Sequence, residues 1–132
     1  MIYRIAPSVA LAFLSLFPEF TRQARWNALC AHIGSGGSIP AIFLGAFSEG
    51  LAGVFPVQIN GQDGEIHAAF LPGNRGKFAV DSARQAFEIL FRDYGLKLIY
   101  ANITEPHVAE YARRCGMTEN NGRFEVSRWA VL

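Results

Sequence analysis

A short loop with two cations and a glycine is the stretch of this sequence best suited to binding an anion. Arg75, Gly76 and Lys77 follow an apolar run and precede a helical pattern. A helix N-terminus carries unpaired backbone N–H groups and the positive end of the helix dipole, so it favours phosphates. Gly76 would let the backbone approach a phosphate closely. The loop is not a Walker A motif, because the spacing differs and Phe78 stands where Ser or Thr is required.

The same loop has a second interpretation, as a solvated turn that only leads into a helix. Ser82 and Gln85 match a capping box, which would start the helix several residues later. The free N–H groups would then lie away from Arg75. The local sequence leaves both interpretations open.

Two candidates for a general base lie on the strand before this loop. Glu65 and His67 are two residues apart, so they share one face of an extended strand. A base that activates an amine must take a proton from an ammonium group, and histidine titrates near neutrality. A histidine on a strand is also commonly a partly buried, hydrogen-bonded side chain, and this alternative stays open.

Apolar runs, together with the proline and glycine residues that separate them, predict the elements that position these residues. "IYRI" predicts a short strand, residues 8–17 a helix capped by Ser8, and Pro18 the first turn of a second helix. "AIFLGAF", "LAGVFPVQI" and "EIHAAFL", separated by Gly-containing turns, predict an antiparallel meander. Pro56 predicts a bulge or an unpaired position in the middle strand. The inward positions of the second helix would be Trp26, Leu29, Cys30 and Ile33.

The second half of the chain predicts a long helix, a strand, a helix and a strand. The long helix has its apolar positions at helical spacing and ends at Gly95. "LKLIYANI" predicts a strand, Pro106 opens a helix that Gly116 ends, and "RFEVSRWAVL" predicts the last strand. We therefore expect a single α/β (α+β) domain over residues 1–132, in the order β-α-α-β-β-β-α-β-α-β. Inward positions on the last helix would be Val108, Ala109, Ala112 and Cys115.

Composition excludes several classes of partner. The 132 residues are 51% hydrophobic and 17% charged with a net charge of +1, which is typical of a globular chain. This charge provides no electrostatic basis for binding nucleic acid. The apolar run at residues 9–17 is too short to span a bilayer and precedes Pro18 rather than a cleavage site, so we expect no membrane partner.

The cysteines and histidines show no metal-binding spacing. Cys30 and Cys115 form neither a zinc motif nor a CxxC pair, and we expect buried free thiols. His32 and His107 are not spaced as ligands, with each other or with the cysteines. We therefore expect no metal and a reducing, cytoplasmic compartment.

The order of elements resembles the GNAT superfamily of acyl-CoA-dependent N-acyltransferases. The resemblance rests on "RGKFA" before the long helix and on "LKLIYANITEPHVAEYARRCGM" after it, and covers about residues 65–120. The pattern H-x-A-F-x-P-x-x-R-G-K-x-A is similar to short phage-encoded members. The resemblance implies a mostly antiparallel central sheet with flanking helices, and transfer of an acetyl group from acetyl-CoA to an unidentified small-molecule or protein amine.

The resemblance also implies roles for individual residues. In the family, an Arg/Gln-x-x-Gly-x-Gly/Ala loop holds the coenzyme A pyrophosphate through backbone amides. Here Arg75 matches, while Phe78 and Val80 stand at the Gly and Gly/Ala positions. His67, with Glu65, would be the general base. The expected coenzyme A contacts are Ala69, Phe70 and Leu71 along the pantetheine arm, and Arg75, Gly76, Lys77, Phe78 and Ala79 at the pyrophosphate.

Two further positions depart from the family pattern. The general-acid tyrosine falls at Ala112, and Tyr111 is its neighbour, about 100° around the helix. The asparagine that often begins this helix falls at Glu105, whose carboxylate would repel a phosphate. Two other functions therefore stay open. One is an inactive GNAT-fold structural or interaction protein, such as a phage assembly or virion-associated protein, and the other is an acyl-CoA sensor without turnover. The oligomeric state is also open, a homodimer included.

Overall fold

The structure, a computed structural model, describes residues 1–22 and 41–131. The predicted positions Trp26, Leu29, Cys30, His32 and Ile33 lie outside the described residues. The strands are β1 (Ile2–Arg4), β2 (Ala41–Phe47), β3 (Leu51–Asn60), β4 (Asp63–Ile66), β5 (Ala69–Phe70), β6 (Leu98–Asn102), β7 (Thr118–Asn120) and β8 (Arg123–Ser127). The helices are α1 (Pro7–Leu14), α2 (Pro18–Thr21), α3 (Lys77–Asp93), α4 (Pro106–Arg114) and α5 (Arg128–Val131), with a 3-10 turn at Pro72–Asn74.

The described strands form one mixed sheet. Its order is β1-β2-β3-β4-β6-β8-β7, and β5 pairs with β3 beyond the end of β4. Every neighbouring pair is antiparallel except β4 with β6, which is parallel across the α3 connection. This confirms the predicted mixed, mostly antiparallel sheet with flanking helices. Within the described residues, no helix is both long and apolar enough to cross a membrane.

The third strand of the predicted meander is interrupted at His67 and Ala68. β4 and β5 keep one register against β3, so no extra residue is inserted. Pro56 lies opposite His67 and accepts a hydrogen bond of 2.9 Å from its N–H, but has no N–H to donate in return. Of the two predicted alternatives, Pro56 therefore produces an unpaired position and not a bulge.

Apolar side chains cover both faces of the sheet. On one face, Phe55, Ile66 and Phe70 pack against the buried stripe of α3, which the predicted helical spacing identified. On the other face, α1 packs on Phe43 and Ala69. Because successive strand residues alternate between faces, His67 lies on the α1 side while Phe70 lies on the α3 side.

One predicted helix start is wrong, and at another helix the structure decides between two alternatives that the sequence left open. Ala6, not Ser8, is the N-cap of α1, because Pro7 fits the first helical turn, where its missing N–H is not needed. α3 begins at Lys77, five residues before the capping box. Ser82 is instead buried inside the helix, since Ala79 already packs in the core and extends the helix toward the loop.

The end of the chain also differs from the prediction. β8 ends at Ser127, which pairs with Leu98 at the start of β6, so no partner strand continues beyond it. The chain turns into α5, and Trp129 is 87% exposed. The short strand β7 was not predicted. It forms a hairpin with β8 through Asn121 and Gly122, both with positive φ.

Close contact between two strands depends on a missing side chain at Gly53. A Cβ atom there would lie 2.4 Å from the Phe70 ring, whereas a Cβ on Gly50 would meet nothing within 4 Å. We expect Gly53→Ala to lower the free energy of unfolding by about 1–3 kcal/mol, and Gly50→Ala to change it by less than about 0.5 kcal/mol. Urea unfolding followed by circular dichroism measures both, and equal effects would contradict the contact.

Candidate functional site

A cleft of about 720 Å³ opens where two neighbouring strands of the sheet separate. Parallel pairing of β4 with β6 ends at Glu65 and Tyr100. Beyond this point β5 stays with β3 and β6 stays with β8, so the two halves of the sheet diverge. The edges of the gap are residues 67–70 on one side and 101–105 on the other, with α3 and α4 beside it.

The β5 edge presents backbone groups to this gap. The Leu71 N–H donates to the Ala52 carbonyl oxygen at 3.0 Å and Ala69 pairs with Val54, so these residues face β3. By alternation, the backbone groups of Ala68 and Phe70 face the gap. The predicted pantetheine contacts therefore need correction at Ala69 and Leu71, whose backbone groups are used by β3.

Ala68 is the edge residue that the sequence did not single out. It is exposed, and neither of its backbone groups is hydrogen-bonded within the described part of the chain. The Phe70 carbonyl oxygen already accepts a bond of 3.0 Å from Arg75 Nε. A ligand strand at this edge could thus pair with Ala68 and with the Phe70 N–H.

The N-terminus of α3 lies at the predicted anion loop. Gly76 is the N-cap, and its carbonyl oxygen accepts from the N–H groups of Ala79 and Val80 at 3.1 and 3.3 Å. Among the described residues, the N–H groups of Gly76, Lys77 and Phe78 have no partner. The first turn contains no acidic residue. The loop therefore has free N–H donors and local positive charge, which are the features that the first interpretation requires of an anion site.

Phe78 does not block these N–H groups. Its ring is half-buried and meets Phe70 edge-to-face at 6.1 Å, and Phe70 meets Phe55 in the same way at 5.3 Å. The bulky side chain at the family's glycine position thus packs on the sheet below the loop. It ties the start of α3 to β5 and β3, and the backbone above it stays accessible.

Glu65 and His67 share a face, as predicted, and interact. Glu65 Oε1 lies 3.9 Å from His67 Nε2, and Asn102 Nδ2 donates to Glu65 Oε2 at 3.3 Å across the sheet. The Phe20 ring of α2 meets the imidazole edge-to-face at 6.5 Å. His67 is about one-third exposed and lines the cleft. It therefore reaches the gap from the α1 side, while Arg75 reaches it from the α3 side.

Tyr111 lines the cleft next to the start of α3. Its hydroxyl donates to the Ala79 carbonyl oxygen at 2.8 Å. Burial, with a smaller contribution from the neighbouring Cys115, raises the pKa of Tyr111 well above its ordinary value. Burial also raises the pKa of Cys115 to about 11, although Tyr111 and two arginines offset part of the effect. Both groups therefore keep their protons at neutral pH, and Cys115 is a buried free thiol, as expected.

The α4 side of the cleft is polar at its rim. Glu105 is the N-cap of α4, and its Oε2 atom lies 3.3 Å from Nε2 of His107. Both side chains are largely exposed. Val108 was expected to face inward but is 37% exposed and lines the cleft, because the gap leaves it no strand to pack on. In residues 1–22 and 41–131, no three His, Cys, Asp or Glu side chains gather as metal ligands.

Known proteins resemble this chain in structure and not in sequence. No family model matches the chain, and no curated protein does. A mutant spermidine N-acetyltransferase from Vibrio cholerae superposes with a TM-score of 0.78 at 15% identity, covering 100% of this chain and 97% of that one. The chain has the GNAT fold.

Other structures with the GNAT fold give the same result. The Vibrio cholerae enzyme in complex with CoA and spermine has a TM-score of 0.74 at 16% identity, covering 99% of this chain and 96% of that one. A structure of it described as dodecameric has a TM-score of 0.72 at 17% identity, covering 100% and 95%. At these identities the likeness establishes the GNAT fold of this chain and not its activity.

The hydrogen bond between Tyr111 and Ala79 joins α4 to the first turn of α3 within this GNAT fold. We expect Tyr111→Phe to lower the free energy of unfolding by about 0.5–1.5 kcal/mol, because the Ala79 carbonyl oxygen loses a donor. Tyr94→Phe is the matched control, since the Tyr94 hydroxyl makes no hydrogen bond to another described residue. Equal urea midpoints for the two variants would show that the bond contributes nothing.

Proposed function

We propose that the chain is an N-acyltransferase that moves an acetyl group from acetyl-CoA to an amine. The observation that carries this proposal is the gap between β5 and β6, which has free helix N–H groups at one end and His67 on its opposite face. A donor and an acceptor can therefore meet through the sheet. The complex of a related fold with CoA and spermine supports this choice of ligands.

The residues at the start of α3 fit a pyrophosphate. Three free N–H groups, at Gly76, Lys77 and Phe78, can donate to phosphate oxygens, and Arg75 has two guanidinium nitrogens left beside the Nε that holds Phe70. Lys77 is 89% exposed and pairs with Asp81 at 3.1 Å, so it contributes charge more than contact. The pantetheine amides would pair with Ala68 and the Phe70 N–H, as an added strand.

His67 is placed to take the proton of the acceptor amine. The neutral amine then attacks the thioester carbonyl, the C–S bond breaks, and coenzyme A leaves as a thiolate. The attacking nitrogen gives up one further proton as it becomes the amide, and this proton balances the one that the thiolate takes up, directly or by returning to Tyr111 after Tyr111 has donated its own. Glu65, 3.9 Å from His67, would stabilise the imidazolium that forms. Tyr111 keeps its proton because it is buried, and it would donate to the thiolate after its hydroxyl leaves the Ala79 carbonyl.

The pyrophosphate site is tested by a charge at the helix start. Gly76→Asp should weaken CoA binding by more than about 10-fold, since an N-cap carboxylate both repels phosphate and accepts the helix N–H groups. Thermal stability should hold or rise, because aspartate is a favourable N-cap. Gly73→Asp is the control, because its side chain also enters open space but lies three residues before the N-cap.

Calorimetry with CoA measures this difference between the two variants. Equal weakening in both would mean that only the added charge matters, and equal affinity to the native chain would remove the pyrophosphate from this loop. Retained thermal stability of Gly76→Asp separates loss of binding from loss of folding.

The base is tested at His67. His67→Ala should lower kcat at least about 100-fold, because the ammonium form of the amine cannot attack. The Kd for CoA should change less than two-fold, since the imidazole lies on the α1 face of the sheet. Release of thiol from acetyl-CoA with a panel of primary amines, spermidine included, measures kcat. Gln58→Ala, an exposed position on β3 outside the cleft, should leave both constants unchanged, and an active His67→Ala enzyme would exclude this base.

A second candidate function is a GNAT-fold protein without turnover. The Tyr111 hydroxyl is engaged by Ala79, and Glu105 places a carboxylate at the cleft rim, and both features favour this alternative. CoA binding without thiol release from any amine would indicate an acyl-CoA sensor. No CoA binding at millimolar ligand to the folded chain would indicate a structural or interaction protein, in phage assembly or elsewhere. Four further statements stay predictions: a possible homodimer, no nucleic-acid or membrane partner, no metal, and a cytoplasmic location.

A further inference from the structure

Two polar side chains flank the gap on the face of the sheet where α1 packs, one from each half. β4 and β6 pair Glu65 with Tyr100, so two residues further along each strand His67 is level with Asn102. Residues two apart in a strand share a face, and both side chains therefore lie on the same side of the sheet as Glu65. Both line the cleft. A ligand that enters the gap from this face therefore meets both.

Glu65 lies behind these two side chains and contacts both of them. Its Oε1 atom is 3.9 Å from Nε2 of His67, and its Oε2 atom accepts the bond of 3.3 Å from Nδ2 of Asn102. Its side chain is 19% exposed, and of the three it alone does not line the cleft. One carboxylate therefore holds the imidazole and the amide on the two edges of the same gap.

The Glu65 carboxylate also decides which end of the Asn102 amide is free. An ionised carboxylate only accepts hydrogen bonds, so the amide must turn its NH2 group toward Glu65. The carbonyl oxygen, Oδ1, is then directed away from Glu65, and no described residue donates a hydrogen bond to it. Asn102 is exposed and lines the cleft, so Oδ1 is the polar atom that this side chain presents to a ligand.

A neutral oxygen at this position suits an amine that must lose a proton before it attacks. A carboxylate beside the amine would stabilise the ammonium form and raise the pKa of the amine, which opposes the proton transfer. An amide oxygen accepts an N–H from the charged amine and from the neutral amine alike. The Glu65 carboxylate has one oxygen bonded to Asn102 and the other facing the imidazole, so the amine meets the amide.

We infer that Asn102 holds the acceptor amine through Oδ1 while His67 takes its proton. This inference rests on the proposed function and adds a second residue that contacts the acceptor at the same site. The bond to Oδ1 is present before and after the proton leaves. It therefore strengthens binding of the amine more than it accelerates the chemical step.

Steady-state kinetics test this contact through thiol release from acetyl-CoA, with the primary amine of the panel above that gives the highest rate. Asn102→Leu has a similar size but no polar atom in its side chain. It should raise the KM for the amine about 5–10-fold and change kcat less than about three-fold. The Kd for CoA should stay within about two-fold, because the pyrophosphate and pantetheine contacts belong to other residues. Asn102→Ala repeats the comparison if circular dichroism shows that Asn102→Leu does not fold.

Two further comparisons show whether Asn102 acts directly. In a Glu65→Ala background, adding Asn102→Leu should again raise the KM for the amine about 5–10-fold, since the contact does not pass through Glu65. Asn120→Leu is the matched control, because Nδ2 of Asn120 also donates to a glutamate, Glu125, at 3.5 Å, but outside the cleft. This variant should leave KM and kcat unchanged.

The outcomes separate the acceptor contact from the function. An unchanged KM for the amine in Asn102→Leu, with or without a fall in kcat, overturns the contact and leaves the acyltransferase in place. A raised KM that disappears in the Glu65→Ala background also overturns it, because Asn102 then acts only through Glu65. An equal rise in Asn120→Leu overturns it as well. No thiol release by the folded native chain with any amine of the panel removes the proposed function, and the acceptor contact with it.

Discussion

The site depends on one constraint, the point at which two parallel strands stop exchanging hydrogen bonds. β4 and β6 pair only as far as Glu65 and Tyr100, and each half of the sheet is then held by its outer neighbour. Backbone groups along such an edge need partners, so an unpaired edge inside a domain favours an added strand. A ligand with amide groups of its own is well suited to this edge, and Ala68 is the residue that presents it.

The site also requires the correct register of β4 and β5 against β3, because register decides which face of the sheet each side chain takes. Pro56 removes one donor from β3 without inserting a residue, so alternation continues unchanged from Ile66 to Phe70. A one-residue bulge would have exchanged the two faces. His67 would then point at α3 and would lie on the same side of the gap as the loop before that helix.

Packing beneath the loop explains how a phenylalanine is tolerated where the family has glycine. On β3, Gly53 has no side chain and so leaves room for the ring of Phe70 of β5, which fills this space. Phe78 of α3 packs edge-to-face on that ring in turn. The same contact extends the buried stripe of α3 to its first turn, and this brings the free N–H groups to Gly76.

The sequence by itself determined the meander, the amphipathic stripe of α3, the shared face of Glu65 and His67, and the turn at Gly116. These features follow from periods of two and 3.6 residues and from backbone preferences, which act over a few neighbours. The Asn121-Gly122 turn is signalled locally as well, because Asn-Gly readily adopts the positive φ of a tight hairpin turn. Only the tertiary structure decided that α3 begins at Lys77, since the capping box at Ser82 was equally valid locally. It also decided the contacts of Glu65 with Asn102 and of Tyr111 with Ala79, because residues more than 30 apart meet only once the sheet and helices have packed.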